Sequence, residues 1–216
     1  MLENERRTKR QIRDAKFRSD FVFLNIHSHE GINANWYDDE PADFFVETAH
    51  AAIDAGADVV IGHGAHFMRG VETYQGKTIF YNLGSLMMEF ESGNSIIPPE
   101  MYAEYGLDEH AKPSQLHRQR SVDDDGNFIG FNAYSKFSQN IILEVDINEG
   151  QNCKIKVVPI DLDLTNRNPI KRGLPNIPNN ESAKLILKRL NKISQPFNTK
   201  FLYDEINNNF STIQSY

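Results

Sequence analysis

Residues 21–66 read FVFLNIHSHEGINANWYDDEPADFFVETAHAAIDAGADVVIGHGAH, and their alternation of apolar and polar runs indicates the fold class. The apolar run 20–26 and the shorter run 58–62 each have the length and composition of a strand that is buried on both faces. Between them, residues 41–56 carry an apolar stripe on one face and therefore predict a helix. The residues of this stripe are Phe44, Phe45, Ala49, Ala52 and Ile53. The order strand, helix, strand predicts two parallel neighbouring strands in one sheet.

Histidines follow both predicted strands. His27 and His29 come directly after the first strand, and His63 and His66 come after the second. Loops that follow parallel strands leave the sheet at the same edge, where ligand sites collect. Neutral imidazole is a common ligand of zinc, manganese and iron, and Glu30 beside the first pair could act as a ligand, an acid/base group or an orienting partner. Together the motifs predict a metal or catalytic site, whereas either motif alone also fits hydrogen-bonded structural histidines.

Two further residues in this region, Arg69 and Trp36, each have two interpretations, and a third, His50, has one. Arg69 either binds an anionic group of a substrate or forms a surface ion pair with Glu72. Trp36 is either a platform for substrate or an anchor in the core, and the sequence favours the core. His50 lies on the predicted helix, and we expect it to be structural.

The remainder of the chain contains two predicted hairpins and one clear helix. Residues 71–85 predict a hairpin with a tight Gln-Gly-Lys turn, and a second hairpin turns at 148–152. An amphipathic helix is predicted over 181–194. Residues 111–137 read as a long loop, and loops of this length in a compact domain are often lids or substrate contacts.

Composition excludes several classes of function. The 216 residues carry a formal net charge of −7, which argues against binding to nucleic acid. The basic run 6–18 is broken by acids and predicts a helix with a solvated basic face. One cysteine cannot form an internal disulfide, and no apolar stretch has the length of a membrane span. The first residues lack the apolar core of a signal peptide, so the chain as written is expected to be cytoplasmic.

Two stretches carry a resemblance to a known family. IHSHEG (26–31) and the segment 41–85 resemble the CapA-type capsule-synthesis (poly-γ-glutamate-synthesis) family, whose bacterial members are often associated with the cell surface. SQPFNTKF (194–201) is similar to a later segment of that family, so the resemblance covers roughly residues 20–200. It implies an α/β fold related to the calcineurin-like metallophosphatases, a four-layer αββα sandwich around a metal site.

The resemblance also implies a chemistry and a set of residues. It implies a metal-dependent hydrolase in which water activated by a divalent ion (manganese, zinc or iron) attacks a phosphoester or a γ-glutamyl amide of an anionic polymer. The implied roles are metal binding by His27, His29 and His66, proton transfer by Glu30 and His63, and substrate binding by Arg69, Asn82 and Ser85.

The resemblance has two departures. The first is the turn at 81–85, which reads YNLGS where the family has YSLGN, so the polar residue at the turn is exchanged. The second is the absence of two N-terminal motifs. Members of the family carry Gly-Asp and Asn-Leu-Glu motifs that supply carboxylate ligands, and neither motif is present before Asp20. We therefore expect residues 1–216 to form a single domain that corresponds to the C-terminal portion of the family fold and lacks its N-terminal strands. Within it, 19–90 would form the metal-site core and 138–195 a C-terminal hairpin and helix. The missing half or other capsule-synthesis proteins are the expected partners, and a non-catalytic binding or assembly subunit is the alternative function.

Overall fold

The computed structural model describes residues 2–88, 97–108, 110–147 and 153–213. Within these ranges the chain forms two four-stranded sheets with helices packed against them. The helices are α1 (Leu2–Arg18), α2 (Asp43–Asp54), α3 (Pro99–Glu104), α4 (Pro113–Ser121), α5 (Ser135–Ser138) and α6 (Asn180–Ser194). The strands are β1 (Phe23–Ser28), β2 (Val59–Gly64), β3 (Val71–Tyr74), β4 (Lys77–Phe80), β5 (Gln139–Ile147), β6 (Cys153–Asp161), β7 (Lys200–Asp204) and β8 (Asn209–Ile213).

The first sheet has the strand order β1-β2-β4-β3. Strands β1 and β2 are parallel neighbours, and their register places Phe23 opposite Val59 and His27 opposite His63. Strand β4 is also parallel to β2, and β3 pairs with β4 in the antiparallel hairpin that the Gln-Gly-Lys turn predicts. Both sequence predictions for this sheet are confirmed.

Helices α1 and α2 cover one face of the first sheet. Phe45, Ala49 and Ile53 of α2 are buried against Val60 of β2 and Ile79 of β4. Most of the predicted apolar stripe therefore faces the core. Phe44 is the exception: it was predicted to belong to the stripe, but its side chain is 43% exposed, because it lies one position away from Phe45 and so points to a different face of the helix.

The opposite face of the first sheet packs on the second sheet, whose strand order is β5-β6-β8-β7. The shared core contains Val59 and Phe80 from the first sheet and Val157 and Phe210 from the second. Helix α6 contributes Leu190 to this core and contacts β3, β6 and β7. The predicted mixed α/β architecture with two sheets and helices, consistent with a metallophosphatase-like fold, is confirmed.

The segment 111–137 differs from its prediction as a long loop. It contains α4, a 3₁₀ turn over Gly130–Ala133 and the start of α5. Helix α4 forms because Pro113 occupies its first turn and the side chain of Gln115 accepts a 2.7 Å hydrogen bond from the Lys112 backbone N–H. Leu116 then anchors α4 in the protein, where it is fully buried.

The turn predicted at 148–152 lies outside the described residues, between the paired strands β5 and β6. None of the described helices combines the length and apolar character that crossing a bilayer requires.

Gly62 of β2 permits a close approach of the backbone beside the histidines. A Cβ at this position would lie 2.1 Å from the Tyr81 carbonyl oxygen and 2.8 Å from Cζ of Phe45. Gly62→Ala is therefore expected to lower the free energy of unfolding by about 2–3 kcal/mol, as measured by urea denaturation. In Gly76→Ala the new Cβ meets no atom within 4 Å, so the only cost is the backbone strain of an alanine at a φ of +74°. The free energy of unfolding should therefore fall by about 1 kcal/mol. Equal losses in the two variants would contradict this account.

Candidate active site

The first two strands bring histidines together at their carboxyl ends. His27 lies directly opposite His63 in the parallel pair β1–β2, so the two rings leave the same face of the sheet. Asn25, two residues before His27, shares that face, and its Oδ1 lies 3.0 Å from Nε2 of His63. In this arrangement Nε2–H of His63 donates to the amide oxygen, which leaves Nδ1 as the acceptor nitrogen.

The three predicted metal ligands lie side by side. Nε2 of His27 is 3.2 Å from Nε2 of His29, and the ring centroids of His29 and His66 are 6.0 Å apart. On its other side, Nδ1 of His66 lies 3.2 Å from Oγ of Ser85. The structure thus brings together His27, His29, His66 and Ser85 from three separate segments of the chain.

The backbone of His66 is strained. Its φ is +64°, in the left-handed region, which costs a residue with a Cβ about 1 kcal/mol or more. Its neighbours Ala65 and Phe67 are both fully buried, and their packing holds the conformation in place. Strain of this kind clusters at functional sites, so the geometry favours a functional role for this side chain.

Two of the histidines are held in the neutral form at neutral pH. Burial lowers the pKa of His63, and the positive charge of His27 lowers it further. Burial also lowers the pKa of His66, with further contributions from His29 and His27. A neutral imidazole has a lone pair, so both rings can accept a proton or bind a metal.

Glu30 lies at the exposed rim of the cluster. Its Oε2 accepts a 2.7 Å hydrogen bond from the hydroxyl of Ser28, and this bond is the main cause of a lowered pKa of the Glu30 carboxyl group. A carboxylate of this kind is ionised at neutral pH and can accept a proton but not donate one, and the lowered pKa makes it a weak base.

The side chain of Arg69 binds the backbone of the loop that follows β1, residues 29–40, called here the histidine loop. The side chain is fully buried, and its guanidinium donates to four backbone carbonyls of the loop. These carbonyls belong to Glu30 (2.6 Å), His29 (3.0 Å), Trp36 (3.2 Å) and Asp38 (3.3 Å). The geometry gives Arg69 a role in positioning the loop, and a contact of Arg69 with substrate remains a prediction.

Two further cations hold the same loop from distant parts of the chain. Lys136 donates a 2.6 Å hydrogen bond to the carbonyl of Tyr37, which is 99 residues away. Arg189 of α6 forms a two-pronged ion pair with Asp39, at 2.9 and 3.3 Å across 150 residues. Sequence reasoning missed both contacts, because no local pattern marks a residue that will meet a loop so far away.

Asn82 is buried below Ser85. Its Oδ1 accepts a 2.9 Å hydrogen bond from the backbone N–H of Gly84, and its backbone carbonyl accepts one from the N–H of Arg69 at 3.1 Å. Its Nδ2 is buried without a hydrogen-bond partner among the described residues. Asn82 thus shapes the turn that presents Ser85, and a contact between Asn82 and substrate remains a prediction.

Of the two residues predicted to be structural, Trp36 adjoins the histidine cluster and His50 does not. Trp36 packs against the core near Phe131, which is the interpretation that the sequence favours. It also stacks on His29, with the ring centroids 6.2 Å apart. His50 lies away from the cluster, where its Nε2 contacts Glu72 at 2.8 Å and its ring stacks on Tyr74.

Comparison with known proteins connects this geometry to a family. Residues 2–89 match the family model described as bacterial capsule synthesis protein PGA_cap. The matched region contains β1, β2 and all the histidines of the cluster. Residues 2–89 of this chain therefore form a region of the CapA-type capsule synthesis family.

The relatives of this chain differ in how much of it they share. An uncharacterised protein of Sinorhizobium fredii is 32% identical over 200 residues, which cover 91% of this chain and 42% of that protein. The PGA biosynthesis protein CapA of Bacillus subtilis is 38% identical over 78 residues, which cover 36% of this chain and 19% of CapA. A probable polyglutamine synthesis accessory protein of Mycobacterium tuberculosis is 38% identical over 73 residues, or 33% of this chain and 18% of that protein. The chain thus spans less than half the length of these relatives.

The histidines of this CapA-type chain fit part of a metal site. Two nitrogen ligands of a tetrahedral zinc ion, bound at about 2.0–2.1 Å, lie about 3.3 Å from each other. The 3.2 Å between Nε2 of His27 and Nε2 of His29 matches this spacing, and it also matches a hydrogen bond between neutral imidazoles. In the part of the chain that the structure describes, no group of three or more His, Cys, Asp or Glu side chains is arranged to hold a metal ion. The described residues therefore fit two ligands of an ion but do not complete its shell.

Proposed function

We propose that this chain is part of a metal-dependent hydrolase that cleaves an amide or phosphoester bond during synthesis or turnover of a poly-γ-glutamate capsule. The match to the capsule-synthesis family model supports the pathway, and two relatives are named for PGA biosynthesis and for polyglutamine synthesis. The pair of Nε2 atoms of His27 and His29, 3.2 Å apart at the carboxyl edge of parallel strands, is the observation that carries the chemistry.

The spacing of their Nε2 atoms supports His27 and His29 as metal ligands, and the resemblance to the family adds His66, whose ring centroid lies 6.0 Å from that of His29, as a proposed third ligand. A divalent ion such as zinc, manganese or iron would lower the pKa of a bound water and polarise the bond to be cleaved. The remaining ligands would come from the rest of the protein or from a partner subunit, because the described residues supply only part of the shell.

The chain's own residues have separate tasks in this proposal. Glu30, whose carboxylate accepts a hydrogen bond from Ser28, accepts a proton at the rim of the cluster. His63 is held by its bond to Asn25, and its Nδ1 can take or release a proton beside His27. Ser85 fixes the ring of His66 by its contact with Nδ1, which leaves Nε2 of His66 to face a ligand.

Metal content tests this proposal. The full chain, purified without a histidine tag and dialysed after incubation with Zn²⁺, is expected to retain metal, measured by elemental analysis. The double variant His27→Ala/His66→Ala should bind Zn²⁺ more weakly by roughly a hundredfold or more, since it removes two direct ligands. His110→Ala, which removes an exposed histidine outside the cluster, should retain the wild-type affinity. Equal Zn²⁺ binding by all three proteins would contradict the assignment of the ligands.

A second candidate function is a non-catalytic binding or assembly subunit of a system that synthesises the capsule polymer. The incomplete ligand set among the described residues favours it. The same experiment separates the two functions, because absence of retained metal in the wild-type chain would support the assembly role and exclude the hydrolase as proposed.

A further inference from the structure

A groove of about 410 Å³ lies between the C-terminal half of α6 and the start of β7. The residues that matter most for the argument are three lysines, Lys188 and Lys192 on α6 and Lys200 on β7. All of the lining residues belong to the segment 188–200, so the groove shares no residue with the histidine cluster. It is therefore a separate surface of the protein.

Hydrogen bonds fix the two walls of the groove to each other. The side chain of Asn191 on α6 accepts a 2.7 Å hydrogen bond from the Phe201 backbone N–H and donates to the Phe201 carbonyl at 3.1 Å. The turn between the walls contains Asn198, whose φ of +51° lies in the left-handed region. It also contains the buried Thr199, whose hydroxyl donates to the Phe197 carbonyl at 3.2 Å. A ligand would therefore meet a surface whose backbone is already held in place.

The three lysines place positive charge along the groove of an acidic protein. Lys188 and Lys192 are four residues apart on α6, so they lie on one face of the helix, separated by roughly 6 Å along its axis. Within the described ranges, none of the three lysines forms an ion pair, and no carboxylate lines the groove. By contrast, Lys184, one turn earlier on the same helix, is paired with Glu205 at 2.6 Å. The groove therefore favours an anionic ligand.

The exposure of the lysines determines how large that ligand must be. Lys188, Lys192 and Lys200 are all exposed. An exposed ion pair strengthens binding by at most about fivefold, so a single carboxylate on a single lysine binds weakly. A chain with several carboxylates can contact all three lysines, because each contact raises the effective concentration of the next carboxylate. The groove therefore suits an anionic chain better than a small anion.

The other lining residues favour an amide-linked chain over a nucleic acid. Gln195 and Asn198 present exposed side-chain amides, which can donate to and accept from the amide groups of a ligand backbone. No lining residue is aromatic, so the groove has no platform on which bases could stack. No lining residue is an arginine, whose guanidinium matches a phosphate in a two-pronged geometry.

We propose that this groove binds a stretch of a poly-γ-glutamate chain, with successive carboxylates on Lys188, Lys192 and Lys200. Such a site would hold the polymer on the protein independently of the histidine cluster, so it fits both a hydrolase and an assembly subunit. The choice of poly-γ-glutamate rests on the proposed function, whereas the binding of an acidic polyamide rests on the groove itself.

Fluorescence anisotropy of a labelled γ-linked decaglutamate, titrated with the full chain in metal-free buffer at low salt, measures this binding. Saturable binding is expected, and it should weaken as NaCl is added, because salt screens exposed charges. Free glutamate should bind at least about tenfold more weakly, since it cannot contact three lysines at once. A DNA oligonucleotide of equal charge should also bind more weakly. An α-linked decaglutamate, which stands for an acidic protein segment, should bind no more tightly than the γ-linked chain.

Removal of the three charges tests the role of the lysines. Lys188→Gln/Lys192→Gln/Lys200→Gln is expected to weaken binding of the γ-linked decaglutamate by about tenfold to a hundredfold, the combined effect of three exposed pairs. Thermal unfolding checks that this variant is folded. If it is not, the single variants Lys192→Gln and Lys200→Gln replace it, and each should weaken binding by up to about fivefold.

A matched control removes the same number of charges elsewhere. Lys112→Gln/Lys154→Gln/Lys171→Gln replaces three exposed lysines that do not line the groove, and it changes the net charge by the same amount. Its affinity for the γ-linked decaglutamate should stay within about twofold of wild type, because local contacts and not the overall charge hold the chain. Equal weakening in the two triple variants, or an unchanged affinity in the groove variant, would overturn the proposal.

The outcomes also distinguish the groove from the metal site. Decaglutamate binding that persists in His27→Ala/His66→Ala, with metal retention lost, would support both. Binding by a wild-type chain that retains no metal would uphold the groove and exclude the hydrolase, and metal retention without decaglutamate binding would do the reverse. Tighter binding of the DNA or of the α-linked chain would overturn the assignment of the polymer.

Discussion

Replacement of Arg69 by alanine is expected to lower the free energy of unfolding by about 3–5 kcal/mol, because it leaves four carbonyls of the histidine loop without their donor. The loop lies very close to the guanidinium: a Cβ at Gly31 would meet Nη2 of Arg69 at 3.1 Å and the Asn35 carbonyl oxygen at 2.3 Å. The guanidinium therefore packs tightly against the backbone of this loop. Urea denaturation followed by the fluorescence of Trp36, which lies in the same loop, measures the effect.

The same substitution is also expected to weaken Zn²⁺ binding, since His29 belongs to the loop that Arg69 holds. Arg69→Lys should recover only a small part of the loss, because one ammonium group cannot span four carbonyls. Arg13→Ala removes an exposed arginine of α1 and should change the stability by less than about 0.5 kcal/mol. A loss below 1 kcal/mol in Arg69→Ala would mean that the loop holds its own conformation.

Replacement of Asp58 by asparagine is expected to cost about 2–3 kcal/mol at neutral pH. The Asp58 side chain is only 6% exposed and accepts from Lys16 of α1 at 2.8 Å and Lys77 of β4 at 2.7 Å. It also accepts from the backbone N–H of Val22 at 2.9 Å, just before β1. One carboxylate therefore joins α1, β1 and β4, and the partial exposure of both lysines limits the loss to the lower part of the range for buried ion pairs.

The effect of Asp58 should depend on pH. Burial acts to raise the pKa of Asp58, but the bonds from Lys16 and Lys77 and the Val22 N–H outweigh it and hold the pKa below its ordinary value. A carboxyl group whose pKa is lowered by folding stabilises the protein above its unfolded pKa of about 3.9, and this contribution is lost as the pH falls through the folded value. The gap in unfolding free energy between wild type and Asp58→Asn should thus be full at pH 7 and shrink below about pH 4.

Urea denaturation of both proteins across pH 3–7 measures this dependence. Asp124→Asn, at an exposed position outside the ion pairs described, serves as the matched control and should show little difference from wild type at any pH. A gap that stays constant down to pH 3 would show that the charge of Asp58 contributes nothing to stability.

The predictable part of the fold is the part encoded by local patterns. The apolar runs of β1 and β2 and the helix between them predicted a parallel pair, which the register confirms down to His27 opposite His63. The hairpin β3–β4 followed from a turn signal. By contrast, 111–137 has weak hydrophobic periodicity, and the burial of Leu116 that stabilises α4 depends on the rest of the protein.

The candidate site, like the fold, has a part that the sequence predicts and a part that it does not. Sequence motifs were enough to predict that His27, His29 and His66 would lie together, because their strands end at one edge of a sheet. The role of Arg69 was not predictable, since a buried guanidinium beneath a loop and an exposed one that binds a ligand have the same local sequence.

The resemblance to the CapA-type family, the parallel pair of strands and the histidines at their edge are all predictable from local patterns, because hydrophobic periodicity and chain order encode strand burial and strand pairing. The contacts that hold those histidines in place, and the groups that adjoin them, depend on packing between distant segments. The contacts of Arg69, Lys136 and Arg189 with the histidine loop arise where segments up to 150 residues apart pack together. Such contacts depend on the packing of the two sheets and their helices, and no local pattern of residues encodes that packing.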